Sequence, residues 1–393
     1  MQDKNNNPVQ SSIQTEKDNK TTAGIFFLLA CSAAVADEAY ELGLDYLFYL
    51  ALLYLIYQNY CQGRSVSELN ADYAFLYSAK TNKLFEVKKF IDHYGLERMI
   101  SRGTETGKNA LHYAIEGDAE SVIHYLLSCD FKASQRPNLR NKLSILNQGD
   151  FEGSTPIHLA VENVIKEYAI KKKPDSYKIL FTLLKPVNTG LVQGFLGANL
   201  PLLKNERINL SIKNKQQESV TDLLGKLFRT AAKHDDVENM SRLLNYLTLA
   251  NLNSYGPSSH RNALHVAVCM KSSRTVEFLI QQNRLAIQQG VSEQSMLMHQ
   301  DNRGNTPIHE ALIDLKNGTT KSFHILNALL AEPIVDQKRL IEPTLKTKQG
   351  VTILCLADKL PPSEDKQKVI DIILKILLLN ADEEMNFTAS LNK

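Results

Sequence analysis

The segments Gly153-Ser-Thr-Pro-Ile-His158-Leu-Ala160 and Gly304-Asn-Thr-Pro-Ile-His309-Glu-Ala311 are one phrase written twice. Two more copies read Gly107-Lys-Asn-Ala-Leu-His112-Tyr-Ala114 and His260-Arg-Asn-Ala-Leu-His265-Val-Ala267. A fifth, Gly350-Val-Thr-Ile-Leu-Cys355-Leu-Ala357, keeps the frame and loses the histidine. Each position has a physical reason. The leading Gly suits a turn that needs positive φ. The Thr or Asn two residues later has a side-chain oxygen that can cap the free N–H groups of a helix start. Pro156 and Pro307 then stand at the first helical position, where a missing N–H costs nothing and φ is already helical. Asn109 and Asn262 replace Thr with a second good cap, so the chemistry survives the change of residue.

A second apolar stripe follows at a fixed distance. From His112 to Leu126 and Leu127 the offsets are 14 and 15, and from His265 to Leu279 and Ile280 they are the same. A Gly-x-Thr-Pro-Leu-His-x-Ala phrase with a Leu-Leu helix at this spacing resembles the ankyrin repeat, a turn followed by two antiparallel helices. The resemblance implies an all-α ankyrin-repeat solenoid whose function is to bind another protein. It also implies a structural role for His112, His158, His265 and His309, whose side chains would hydrogen-bond across to the neighbouring turn.

The same offset points to degenerate units. Counting back 14 from Leu243 places Arg229 at the histidine position, and counting back from Phe90 places Leu76 there, with Ala79, Val87 and Ile91 in apolar register. Seven units over about residues 71–380 result. Ankyrin units recur near every 33 residues, whereas His112 to His158 is 46 and His265 to His309 is 44, so long insertions are expected. Some lie between paired helices, around Lys171-Lys-Lys-Pro174. Others lie before the next phrase, at 131–149, 284–299 and 331–346, where they would lengthen finger-like turns. The expected organisation is a first stack at 71–184, an irregular connection at 185–224 and a second stack at 225–380.

The ends differ from the middle. Residues 1–22 are polar and cannot offset ordering entropy, which predicts a disordered tail. Two apolar blocks, Ala23 to Ala36 and Tyr46 to Tyr57, are each shorter than the roughly 20 residues of a bilayer span, which favours an α-helical N-terminal cap over 23–66. A membrane-tethered adaptor through 23–57 is the alternative, and Leu28-Leu29-Ala30-Cys31 also resembles a lipoprotein leader. At the C-terminus, 381–393 carries Asp382, Glu383 and Glu384 before Phe387 and Leu391. This tail, with the heavy insertions, resembles ankyrin-repeat effectors that intracellular bacteria secrete by type IV systems, and implies a host protein as partner and a host cytosol as destination.

Charge and motif content narrow the function. Forty-five Lys and Arg against 43 Asp and Glu leave a net charge of +2, too little for a nucleic-acid surface. The five cysteines are far apart with no C-x-x-C pair, which argues against a disulfide framework or zinc site and fits a cytosolic chain. No nucleotide, zinc-hydrolase or serine-hydrolase motif is present, so no cofactor or metal and no catalytic residue is assigned. Cys269, four residues after His265 on one helix, is a conceivable thiol nucleophile. Cys31 or Cys61 with a distant His is the alternative for a hidden cysteine hydrolase, although about 40 residues between Ala23 and Arg64 are few for such a domain. For binding to an unidentified protein partner the candidates lie on the inserted fingers: Arg136, Asn138, Arg140 and Asn141 on one, and His299, Asp301 and Arg303 near another. Arginine forks suit bidentate contacts.

Overall fold

The computed structural model describes residues 66–391 except 101, 104, 136–143, 186–207, 248–254, 291–294, 318–320, 332–333 and 336–337. The expected polar tail, the two apolar blocks at 23–57 and the Arg136 to Asn141 finger fall outside the described residues. Fourteen α-helices pair off within them. The pairs are α1 Val66–Lys80 with α2 Leu84–Tyr94, α3 Ala110–Glu116 with α4 Glu120–Ser134, and α5 Pro156–Glu167 with α6 Tyr177–Leu184. They continue as α7 Val220–Lys233 with α8 Val237–Leu243, α9 Ala263–Met270 with α10 Ser273–Gln288, α11 Pro307–Lys316 with α12 Lys321–Leu330, and α13 Ile353–Asp358 with α14 Glu364–Leu391. A 3-10 turn, Leu96–Ile100, follows α2, and one two-residue antiparallel pair, β1 Ile334–Val335 with β2 Lys338–Arg339, sits in the insertion after α12. The fold is an all-α solenoid.

The first helices stack in one layer, α1 on α3, then α5, α7, α9, α11 and α13, without a break. The second helices form the outer layer. α5 packs directly on α7, so the first helices run as one layer past the segment at 185–224. At the C-terminal end α14 runs on to Leu391, across most of the expected 381–393 tail. Leu111, Ile123, Leu126, Ile157, Leu180, Leu224, Leu264, Leu279, Leu312 and Leu326 are almost completely buried between the layers. Each such side chain contributes roughly 1.5–3 kcal/mol.

Helix starts follow the capping chemistry read from the repeated phrase. Side-chain oxygens of Asn109, Ser219, Asn262, Thr306 and Thr352 accept the backbone N–H three residues on. Two residues before each cap the backbone turns left-handed, at Gly107, Gly153, Gly304 and Gly350, and also at Gln217 and His260. The last two carry a Cβ there, a strain of about 1 kcal/mol each.

Gln217 and Ser219 correct the reading of the fourth unit. Its phrase is Glu218-Ser219-Val220-Thr221-Asp222, with Asp222 in the histidine position and no role of that kind for Arg229. The 14-residue offset failed because α7 has 14 residues where α3 has seven. Two extra turns displace everything downstream by seven residues while keeping the same helical face.

A longer period also runs through the array. Asn109 and Asn262 stand 153 residues apart (262 − 109 = 153), and both do more than cap: Asn109 Nδ2 donates to the Ile145 carbonyl (3.0 Å) and Asn262 Nδ2 to that of Met296 (3.1 Å). Asp130 and Asn283, again 153 apart (283 − 130 = 153), accept the Ile145 and Met296 N–H groups at 3.0 and 2.8 Å. The insertions at 131–149 and 284–299 were expected to project as fingers. Their ends instead return to the core, burying Ile145, Leu146, Met296 and Leu297, as do Leu340 and Ile341 after the third. The Asn caps occur in the units whose following loop needs this extra donor.

Candidate functional site

The turns before each first helix line one edge of the stack as short fingers. Among the described residues a backbone hydrogen bond joins four pairs of successive fingers: Phe151 N–H to the Thr106 carbonyl (2.9 Å), Lys215 to Glu152 (2.8 Å), Asn302 to Ser259 (3.0 Å) and Lys348 to Arg303 (3.0 Å). Within a finger the first residue of the turn folds it back. Asp150 Oδ1 accepts the N–H groups of Glu152 and Ser154, Asn214 accepts that of Glu218, and Thr347 Oγ1 accepts those of Gln349 and Val351. The fingers together with the inner helices make the concave face.

The repeat histidines lock this edge. Each Nε2 donates to the carbonyl just before the next cap: His112 to Ser154 (2.8 Å), His158 to Glu218 (3.2 Å), His265 to Asn305 (2.9 Å) and His309 to Val351 (3.3 Å). In the Thr-capped units Nδ1 then accepts the hydroxyl hydrogens of Thr155 and Thr306, both at 2.8 Å. In the Asn-capped units Nδ1 of His112 and of His265 lies 2.8 Å from the Oδ1 of Asn109 and Asn262. All four side chains are buried. Burial holds their protonation well down, His112 and His265 to about 4, so the neutral ring is the working form. The structural role implied by the resemblance is what the geometry supplies.

Cys269 does not make a nucleophile with His265. His265 is committed to Asn305 and to its own cap, while the Cys269 thiol donates to Glu310 Oε2 at 3.6 Å. Burial first, and then the Glu310 carboxylate, pushes that thiol up to about 12. A thiol nucleophile needs the opposite. Glu310 in turn receives Arg261 (2.6 Å), which also reaches Asp301.

Of the candidate binding residues, Asp301 is a buried turn-former: Oδ1 accepts the N–H groups of Arg303 and Asn305 at 2.8 and 2.9 Å. It matches Asp150 in position and task, which the shared Asp-x-x-Gly spacing already signalled. His299 is half-buried, donates to the His260 carbonyl (2.9 Å) and stacks on Tyr255, which stacks on the His260 ring as well. Arg303 is exposed at the finger edge. These three are therefore not one site: two hold fingers together and one faces solvent. Arg136, Asn138, Arg140 and Asn141 lie outside the described residues.

One concavity on this face was not foreseen. It measures about 680 Å³ and lies between the fourth and fifth fingers, over the inner face of α7. Gly225 forms its floor, with Lys226, Thr230 and Lys233 along one side and Tyr255, Ser258 and Ser259 along the other. No residue pattern in the sequence signalled it, because it depends on how far apart two fingers stand.

No family model and no curated protein matches the chain. Solved structures with similar folds are ankyrin-repeat domains. That of Bcl-3, a member of the IkappaB family, is 16% identical, with a TM-score of 0.43, 76% of this chain and 96% of that one covered. One from Acinetobacter baumannii AYE is 22% identical, at TM-score 0.36 and coverages of 68% and 96%. That of human ASB11 is 16% identical, at 0.34, 77% and 96%.

Proposed function

We propose that this chain is a non-enzymatic scaffold that binds a protein partner on its concave face. The observation that carries the reading is a division of labour among its polar groups. The imidazoles of the repeat and the Cys269 thiol are consumed in holding units together, whereas Lys226, Thr230 and Lys233 line the cleft over α7 and Arg303 stands exposed at the finger edge. An extended face of this kind, built on rigid helices and joined fingers, suits recognition of another chain. The test is affinity capture from candidate cytosol with the full chain and with a variant carrying Thr230→Arg and Arg303→Glu. A partner retained by the first and lost by the second, with equal melting of both baits, supports the reading; a partner retained equally by both refutes it.

Two finer readings rest on the sequence. Delivery into a host cytosol as a secreted bacterial effector is suggested by the acidic tail with Phe387 and Leu391, and is tested by a translocation reporter fused to the chain with and without 381–393. Membrane tethering rests on 23–57. Among the described residues no helix is long and apolar enough to cross a membrane, and those blocks lie outside them.

A further inference from the structure

The ladder of backbone bonds that joins successive fingers is missing at one junction. By position relative to the left-handed corners at Gln217 and His260, the pair that would bond is the Gln216 carbonyl and the Ser258 N–H. Among the described residues no backbone hydrogen bond joins these two fingers. The cleft of about 680 Å³ opens in that place. Its floor stays low because Gly225 has no side chain, and its length comes from the two additional turns of α7.

Charge is segregated along it. At the N-terminal end of α7, Glu218 pairs with Lys226 at 3.7 Å, and Asp222 acts on Arg229. Arg261, on the far wall, is taken up by Asp301 and Glu310. Toward the C-terminal end no carboxylate lines the cleft, and Lys233 stands there exposed. Lys172, from the insertion after α5, adds its field: His234 is held down by burial and then by Lys233 and Lys172 together. Lys172 thus adds to the positive end set by Lys233, while Lys171 pairs with Glu167 and Asp175 and Lys173 with Glu238.

We infer that this cleft receives an extended, acidic segment of the partner protein, a reading that rests on the scaffold function and names its ligand chemistry. Extended main chain can supply the partners that the two fingers do not give each other, as in strand addition to an open edge. Lys226 and Lys233 stand seven residues apart on α7, about 10 Å along its axis. Three residues of extended chain span about the same length. The preferred ligand therefore carries two carboxylates in the pattern acid-x-x-acid.

The test selects from a display library of random 16-residue peptides against the full chain. Enriched peptides should carry the acid-x-x-acid pattern, and a synthetic copy of the best should lose at least tenfold in affinity to Lys226→Glu with Lys233→Glu. Affinity should also fall with added salt. A matched reversal on the outer helices, Lys88→Glu with Lys132→Glu, should leave it unchanged, and both variants should melt like the parent. Should the first pair fail to fold, Lys226→Gln with Lys233→Gln carries the same comparison. Absence of acidic enrichment overturns the inference, as does undiminished binding to the Lys226 and Lys233 variants. Either result, combined with capture of a partner through the concave face, would leave the scaffold reading standing.

Discussion

Mild acid should loosen this array through its buried histidines. An ordinary unfolded imidazole titrates near 6.5, whereas His112 and His265 in the folded chain titrate at about 4, because burial penalises the charged ring. The unfolded chain therefore binds protons first as the pH falls. Stability is full above about pH 6.5 and drains away between 6.5 and 4, the sign expected when the folded value is the lower one. Each of the two rings removes roughly 2 kcal/mol at pH 5 and about 3 kcal/mol below pH 4, and His158 and His309 shift in the same direction. Carboxylates, with unfolded values near 4, have scarcely begun to titrate at pH 5. Urea unfolding followed by circular dichroism at pH 7.5 and pH 5.0 should show a loss of at least about 4 kcal/mol. A variant with His112→Gln and His265→Gln should be weaker at pH 7.5 but much flatter between the two pH values. An equally steep loss in that variant would refute the locking role assigned to these rings.

The finger edge makes a sharper steric prediction. Gly304 and Gly350 share a left-handed conformation, but a Cβ on Gly304 would stand 2.7 Å from the Lys348 nitrogen, while one on Gly350 meets nothing within 4 Å. Gly350→Ala should cost only about 1 kcal/mol of backbone strain, and Gly304→Ala clearly more; equal melting shifts would contradict the close approach of the sixth and seventh fingers. Gly117→Ala should be worse still, since its Cβ would lie 1.8 Å from the Lys80 carbonyl oxygen and must force the first two units apart. Thiol-reactive probes at pH 7.5 should label exposed Cys355, whose thiol is held low by its Thr352 hydrogen bonds, well before Cys269. Preferential labelling of Cys269 in the native chain would reopen the thiol-enzyme reading. At the N-terminal end, Tyr73 and Phe85 are each 74% exposed; a chain starting at Ala71 should aggregate where the full chain stays dispersed without detergent, if 23–57 covers that end, and flotation of the full chain with liposomes would favour the membrane instead.

Much of the fold was legible because the repeated phrase encodes local requirements. A left-handed corner, a cap and a first-turn proline each need particular residues, and Gly153, Thr155 and Pro156, like Gly304, Thr306 and Pro307, state them in order. The fourth unit shows where legibility ends. Its cap, Ser219 with Asp222, satisfies the same chemistry with other residues, and helix length is not a local property, so a constant offset landed two turns away on Arg229. Asn109 and Asn262 looked interchangeable with Thr because the cap oxygen is common to both. Their amide donors matter only once Ile145 and Met296 have returned to the core, a long-range event. Asp301 resembled a binding residue for a similar reason: a carboxylate that folds its own turn and one that meets a ligand look alike in sequence. The cleft over α7 depends on the separation of two fingers, which no residue pattern reports.

The most direct measurement places a photo-crosslinking amino acid at Thr230, in the cleft over α7, and in parallel at Lys375 on the outer helix α14, then irradiates each full chain in the extract from which its partner is captured. A discrete crosslinked protein from Thr230, released by competition with the selected acidic peptide and absent from Lys375, is the predicted result. Crosslinking to the same protein from Lys375 alone, with none from Thr230, would contradict binding by the concave face.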